Sequence, residues 1–142
     1  MSDVCWGLNA GKGNLENKDF MMKYNRAAIG LGLRSNPKPD NGQSTVAQLK
    51  RFKKNAKKGD IIFLYENSIG FTHYAIFTGE IFAPQFKSEH APGWSPQELQ
   101  EHIGIVKWKK FKTPLKAGHS PKTLFKIKNI QPFLNKISLE HE

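Results

Sequence analysis

The chain has 142 residues, 38% of them hydrophobic, with 12 glycines, 8 prolines and a single cysteine, which is apolar material for one core and too little for two. One cysteine and five scattered histidines exclude a disulfide framework and a multi-cysteine zinc site, so neither a metal nor any other cofactor is expected. Twenty-two Lys and Arg against 12 Asp and Glu give a net charge of +10, beyond what solubility needs and in keeping with a polyanion-binding surface, so nucleic acid is the first partner to test.

A single domain over residues 1–142 is therefore expected. In chain order, Asp3-Val4-Cys5-Trp6-Gly7-Leu8 reads as a short strand running into the polar loop Asn9-Ala10-Gly11-Lys12-Gly13-Asn14. A short helix is expected from Leu15 to Tyr24, and Ala27 to Leu33 reads as a second strand, ended by Pro37, Pro39 and Gly42. From Ser44 the period changes. Val46, Leu49, Phe52 and Ala56 share one helical face while Lys50, Arg51, Lys53, Lys54 and Lys57 point elsewhere, which predicts an amphipathic basic helix over 44–58 that Gly59 can terminate.

Ile61-Ile62-Phe63-Leu64-Tyr65 and Thr72 to Ile81 are runs of strand formers separated by a turn, and they should pair as a hairpin in the core. Phe82 to Gln100 holds prolines at 84, 92 and 96 and predicts a long loop; Ile103 to Trp108 returns to strand character. Beyond Pro114, Ser120-Pro121 is a helix start, and Leu124, Ile127, Ile130, Phe133, Leu134 and Ile137 form a helical stripe that Pro132 should interrupt. No run approaches the roughly 20 apolar residues of a membrane span, and Met1-Ser2-Asp3 does not begin a signal peptide. The expectation is an intracellular chain, cytoplasmic or nuclear, with no membrane partner.

Charge is segregated along the chain. Residues 48–59 carry 6 basic side chains and no acid, residues 60–106 carry 1 against 6, and residues 107–128 carry 8 lysines and no acid. Two acid-free runs around an acidic middle argue for basic faces that grip phosphates rather than for evenly solvated surface. The candidate phosphate-binding residues are Lys12, Lys50, Arg51, Lys54, Lys107, Lys109 and Lys110.

Trp6 in the first strand, the polar loop reaching Gly13-Asn14, the stretch Ala75-Ile76-Phe77-Thr78-Gly79-Glu80-Ile81, then Trp94-Ser95 and Gly104-Ile105-Val106-Lys107-Trp108, taken in this order, resemble the YTH family of methyladenosine readers and the related EVE modules of the PUA-like superfamily. The resemblance spans most of the chain and rests on the order of the pieces. It implies an α+β fold: a small, mixed, partly open β-barrel of about five to six strands flanked by three to four helices. It also implies an aromatic cage with Trp6 and Trp94 as walls and Leu99 as a third side, with Gly7, Asn9 and Asn14 reading the base edge. The basic helix between the second strand and the hairpin is closer to EVE and YTH-like restriction-associated modules. The implied partner is DNA or RNA carrying a modified base, met alone or as part of a larger effector or restriction-type assembly.

The chemistry of such a site is sound in its own right. A methyl group on an exocyclic base amine is apolar, and tryptophan faces can bury it while stacking on the base, at roughly 1–3 kcal/mol per base. The base must be single-stranded or flipped out to be reached. Two rival readings are an enzyme, either an ASCH-type ribonuclease of the PUA-like group or a Cys-His hydrolase pairing Cys5 with His73 or His102, and a basic adaptor that binds protein. Against catalysis, the histidines at 73, 90, 102, 119 and 141 are isolated in sequence, and Cys5 sits in an apolar strand with no adjacent charge. Trp108 alternates with Val106 and is expected in the core, and Gly11-Lys12-Gly13 lacks the spacing of a nucleotide-hydrolysing phosphate loop.

Overall fold

The computed structural model describes residues 4–9, 21–22, 26–30, 45–66, 68–86, 99–116 and 124–140. Seven strands lie in one mixed sheet: β1 (Cys5–Asn9), β2 (Arg26–Gly30), β3 (Ile61–Glu66), β4 (Gly70–Phe86), β5 (Leu99–Ile105), β6 (Lys109–Leu115) and β7 (Leu124–Lys126). Two helices with defined bounds accompany them, α1 (Thr45–Asn55) and α2 (Gln131–Glu140), and Met21 and Met22 are helical as well. The fold is mixed α+β. Among the described residues there are more strands and fewer helices than expected, and the sheet is not closed.

The order β2-β5-β4-β3-β1-β7 follows from a few long pairings. The expected hairpin forms, with β3 and β4 antiparallel from Ile61↔Ile76 to Glu66↔Gly70. β1 runs parallel to β3 on its other side, Trp6 beside Ile62 and Leu8 beside Leu64, and β7 pairs antiparallel with β1. β4 is the long spine. Along one edge it pairs with β5 over Phe77–Phe86 and with β6 over Phe71–Tyr74, so β5 and β6 are two halves of one course interrupted at Val106–Trp108. At the interruption the Val106 amide donates to the Ile76 carbonyl (2.8 Å), which holds the break against the spine.

Strand alternation divides the core into two layers. Trp6, Leu8, Ile62, Leu64, Ala75 and Phe77 face α1, which contributes Leu49 and Phe52. Cys5, Ile61, Phe63, Phe71 and Tyr74 face the opposite way, toward Phe133 and Ile137 of α2. Gly7 lies on this second side, and a Cβ there would run into the Phe125 ring, so the glycine is what lets that ring of β7 lie against β1. The basic helix stops at Asn55, short of the expected 58, and Gly59, at φ +97°, stands in the turn that follows rather than at the helix end.

Three further expectations need correction. The expected loop from Phe82 to Gln100 is not all loop: β4 continues to Phe86 and β5 begins at Leu99, and the course of β4 is bent by irregularities between Phe77 and Ile81 and between Phe82 and Gln85. Leu124 belongs to a three-residue strand rather than to a helix, and Pro132 does not interrupt a helix but stands second in α2, where its missing N–H costs no intrahelical bond. The expected strand from Ile103 to Trp108 stops at Ile105, and a further strand, β6, begins at Lys109.

Candidate nucleic-acid interface

The basic residues of α1 are divided from its apolar ones by the helical period. Leu49 and Phe52 are buried under the helix; Lys50, Arg51, Lys53 and Lys54 are exposed, as are Lys57 and Lys58 just beyond it. On β6 the separation is only partial, for Lys109 shares the face of Phe111 and Tyr74 while Lys110 and Lys112 take the other. Phe111 is buried while Lys109, Lys110 and Lys112 are exposed, with Lys107 exposed before the strand and Lys116 after it. The Lys109 ammonium lies 5.9 Å from the Tyr74 ring centroid, close enough for a cation–π contact that keeps its charge at the surface.

The topology joins these two segments. The Gly59 amide donates to the Phe77 carbonyl (2.9 Å), and Phe77 pairs on its other side with Ile105. The turn bearing Lys57 and Lys58 therefore flanks β4 on one side and the break bearing Lys107 flanks it on the other, about 10 Å apart at two strand spacings. From that point Lys109, Lys110 and Lys112 continue along β6 toward Leu115, which pairs with Phe71 at the start of β4. Asn9 at the end of β1 belongs to the same end of the sheet, through Tyr65 and Phe71. The basic row leads from α1 toward the end from which the chain leaves β1.

Polar side chains pin the α1-facing layer from within. Asp60 is 2% exposed; its Oδ2 accepts from Trp6 Nε1 (3.1 Å) and from the Lys57 amide (3.0 Å). Gln48 Oε1 accepts from the Leu124 amide (2.9 Å), tying α1 to β7. Trp108 Nε1 donates to the Arg26 carbonyl (3.0 Å), tying the β5–β6 break to β2. The Thr72 hydroxyl donates to the half-buried Glu66 carboxylate and lies 2.8 Å from His73 Nδ1, whose ring stands next to Trp108.

Trp6 is the main correction to the expected site. Its ring is 3% exposed, Phe52 packs edge-on at 4.9 Å between centroids, and its only polar atom is engaged by Asp60. It is a core residue on the α1 side, and the loops expected to complete a cage with it lie outside the described residues. Gly7 is likewise a ladder residue, between Phe63 on one side and Phe125 on the other. Asn9 is half-buried at the end of β1. Leu99 opens β5 opposite Phe86. Lys12, Asn14 and Trp94 lie outside the described residues. Lys50, Arg51, Lys54, Lys107, Lys109 and Lys110 are all exposed, and Trp108 is buried as expected.

Cys5 and His73 do not pair. Cys5 is fully buried on the α2 side of the sheet, whereas His73 contacts Trp108 on the α1 side. Among the described residues no cluster of His, Cys, Asp or Glu could hold a metal ion, and no helix is long and apolar enough to cross a membrane.

No family model matches the chain, and no curated protein does. Solved structures similar over nearly its whole length include two Pseudomonas proteins. A crystal structure of a Pseudomonas putida protein superposes with a TM-score of 0.50 at 14% identity, covering 96% of this chain and 99% of that one. A crystal structure of a Pseudomonas syringae protein gives 0.52 at 13% identity, with the same coverage. At such identities the likeness is one of fold.

Proposed function

We propose that this chain is a non-catalytic nucleic-acid-binding module, holding phosphates on its lysine surface and reading a modified base, methylated on an exocyclic amine, in single-stranded or flipped form. The observation that carries the reading is the meeting of the two acid-free segments across β4, which makes one basic row from residues about 50 positions apart in sequence. Lysine on the edge strand β6 also discourages edge-to-edge pairing, but that duty accounts for none of the lysines on α1. The base-reading part rests on the resemblance to YTH and EVE modules. With Trp6 committed to the core, the stacking wall falls to Trp94, in the polar, proline-rich segment that ends where Leu99 opens β5. Trp6 then acts from beneath: its bond to Asp60 fixes the turn that carries Lys57 and Lys58.

The test is a titration of labelled single- and double-stranded DNA and RNA, methylated and unmodified, over a range of salt. The reading expects intact strands, a steep loss of affinity with salt, and tighter binding to the methylated strand. Cleavage of the strands would favour the ribonuclease, and weak binding blind to the modification would favour the adaptor.

A further inference from the structure

The basic strand carries an acid of the chain's own. At the end of α2, Glu140 Oε1 accepts from the backbone N–H of Lys112 (3.1 Å) and lies 3.1 Å from Lys136 Nζ. Lys136 also donates to Thr113 Oγ1 (3.1 Å), which fixes the ammonium over β6. The Lys136 and Glu140 side chains are 16% and 11% exposed, and their contacts to Lys112 and Thr113 lie at the surface of β6.

Two features give the cluster a meaning beyond that of an ion pair. Among the described pairings β6 has only β4 as a neighbour, and its bond to Glu140 shows that the Lys112 N–H points away from β4. A main-chain donor on an outer edge must find an acceptor or water. The donors around the carboxylate are also of the kinds that bind phosphate oxygens: a backbone N–H, a fixed ammonium and the flanking Lys112 charge, with a hydroxyl alongside. Burial pushes the Glu140 carboxyl up, but hydrogen bonds from Lys136 and the Lys112 amide, together with the charges of both lysines, outweigh it and hold the group below the usual carboxylate range.

We propose that this cluster is a phosphate subsite at the far part of the lysine row, occupied by Glu140 as an internal substitute that a nucleic-acid phosphate displaces. The inference rests on the polyanion reading above. Glu140 then acts as a built-in competitor: it weakens indiscriminate binding to any polyanion, and a ligand held elsewhere along the row has enough local concentration to displace it. A carboxylate serving only to cap the strand edge would affect stability and leave affinity alone.

The experiment uses the full chain and an unmodified single-stranded oligonucleotide, with affinity measured from about 50 to 200 mM salt and the Lys112 amide followed by NMR. Glu140→Gln is expected to bind several-fold tighter at low salt, with a salt slope steeper by about 0.7, the value for one more phosphate on a single strand. In the wild type the Lys112 amide resonance should move as the oligonucleotide is added. Lys136→Met in the Glu140→Gln background should abolish the gain. Wild-type affinity in folded Glu140→Gln, or an unmoved Lys112 amide while the wild type binds with normal salt dependence, overturns the subsite and leaves the polyanion reading standing. Should Glu140→Gln lose α2, the wild-type amide decides alone. A wild type that binds no oligonucleotide overturns both.

Discussion

The two faces of the sheet are built on different principles. The α2 side is held by ring packing: Phe63 contacts Phe133 at 4.8 Å, Phe71 at 6.4 Å and Phe111 at 6.3 Å between centroids, and Phe71 meets Phe133 at 4.8 Å. The α1 side has its own apolar layer but is threaded by polar links, two buried, Trp6 to Asp60 and Gln48 to the Leu124 amide, and two half-buried, Trp108 to the Arg26 carbonyl and Glu66 to Thr72. Dispersion and hydrophobic burial tolerate small shifts, whereas buried hydrogen bonds are lost outright when geometry changes. The aromatic face therefore supplies stability, and the polar links set where the basic helix, the turn after it and the β5–β6 break stand relative to one another.

This contrast can be broken from its stronger side first. Phe63→Ala removes a fully buried ring at the centre of the α2 layer and should cost about 3–5 kcal/mol, read as a shift in denaturant midpoint. Oligonucleotide affinity of whatever fraction stays folded should be unchanged. Asp60→Ala leaves Trp6 Nε1 and the Lys57 amide without their acceptor and should cost about 1–3 kcal/mol. Unlike Phe63→Ala, it should also weaken nucleic-acid binding in the folded protein, since it releases the turn carrying Lys57 and Lys58.

A third variant separates grip from stability altogether. Replacing Lys107, Lys109 and Lys110 together with glutamine should leave thermal stability nearly unchanged, since all three are exposed, while flattening the salt dependence of binding for modified and unmodified strands alike. An unaltered slope would remove β6 from the interface. The smallest effect is expected in alkali. Burial, and after it the charge of Glu140, raises the Tyr74 phenol above its ordinary value, so the neutral ring is the form the fold favours. That contribution is complete below the unfolded value near 10 and declines as pH rises beyond it. Tyr74→Phe should therefore lose less stability than the wild type above about pH 10, measured by denaturation at paired pH values.

The parts of the fold legible in the sequence are those whose burial is periodic over many residues. Leu49 and Phe52 against Lys50, Arg51, Lys53 and Lys54 reveal α1, and Ile61 to Tyr65 with the run after Thr72 reveals the central hairpin. β6 is hidden because only Phe111 and, in part, Leu115 turn inward, so an edge strand reads as a lysine run. β7 is hidden because three residues carry no period of their own and Leu124 and Ile127 happen to continue the spacing of α2. Trp6 could be read as core or as cage from its strand alone. Its core role depends on Asp60, 54 residues away, and no local pattern encodes that pairing.

The base-reading site depends most on Trp94. The measurement that tests it directly compares wild type and Trp94→Ala, both verified as folded, on methylated and unmodified single strands of the same sequence at fixed salt. Losing one stacking wall should remove on the order of 1–3 kcal/mol from the methylated complex while phosphate contacts persist, so that the preference collapses and the affinity for the unmodified strand changes little. Full preference retained by Trp94→Ala, or a wild type with no preference at all, would contradict the account.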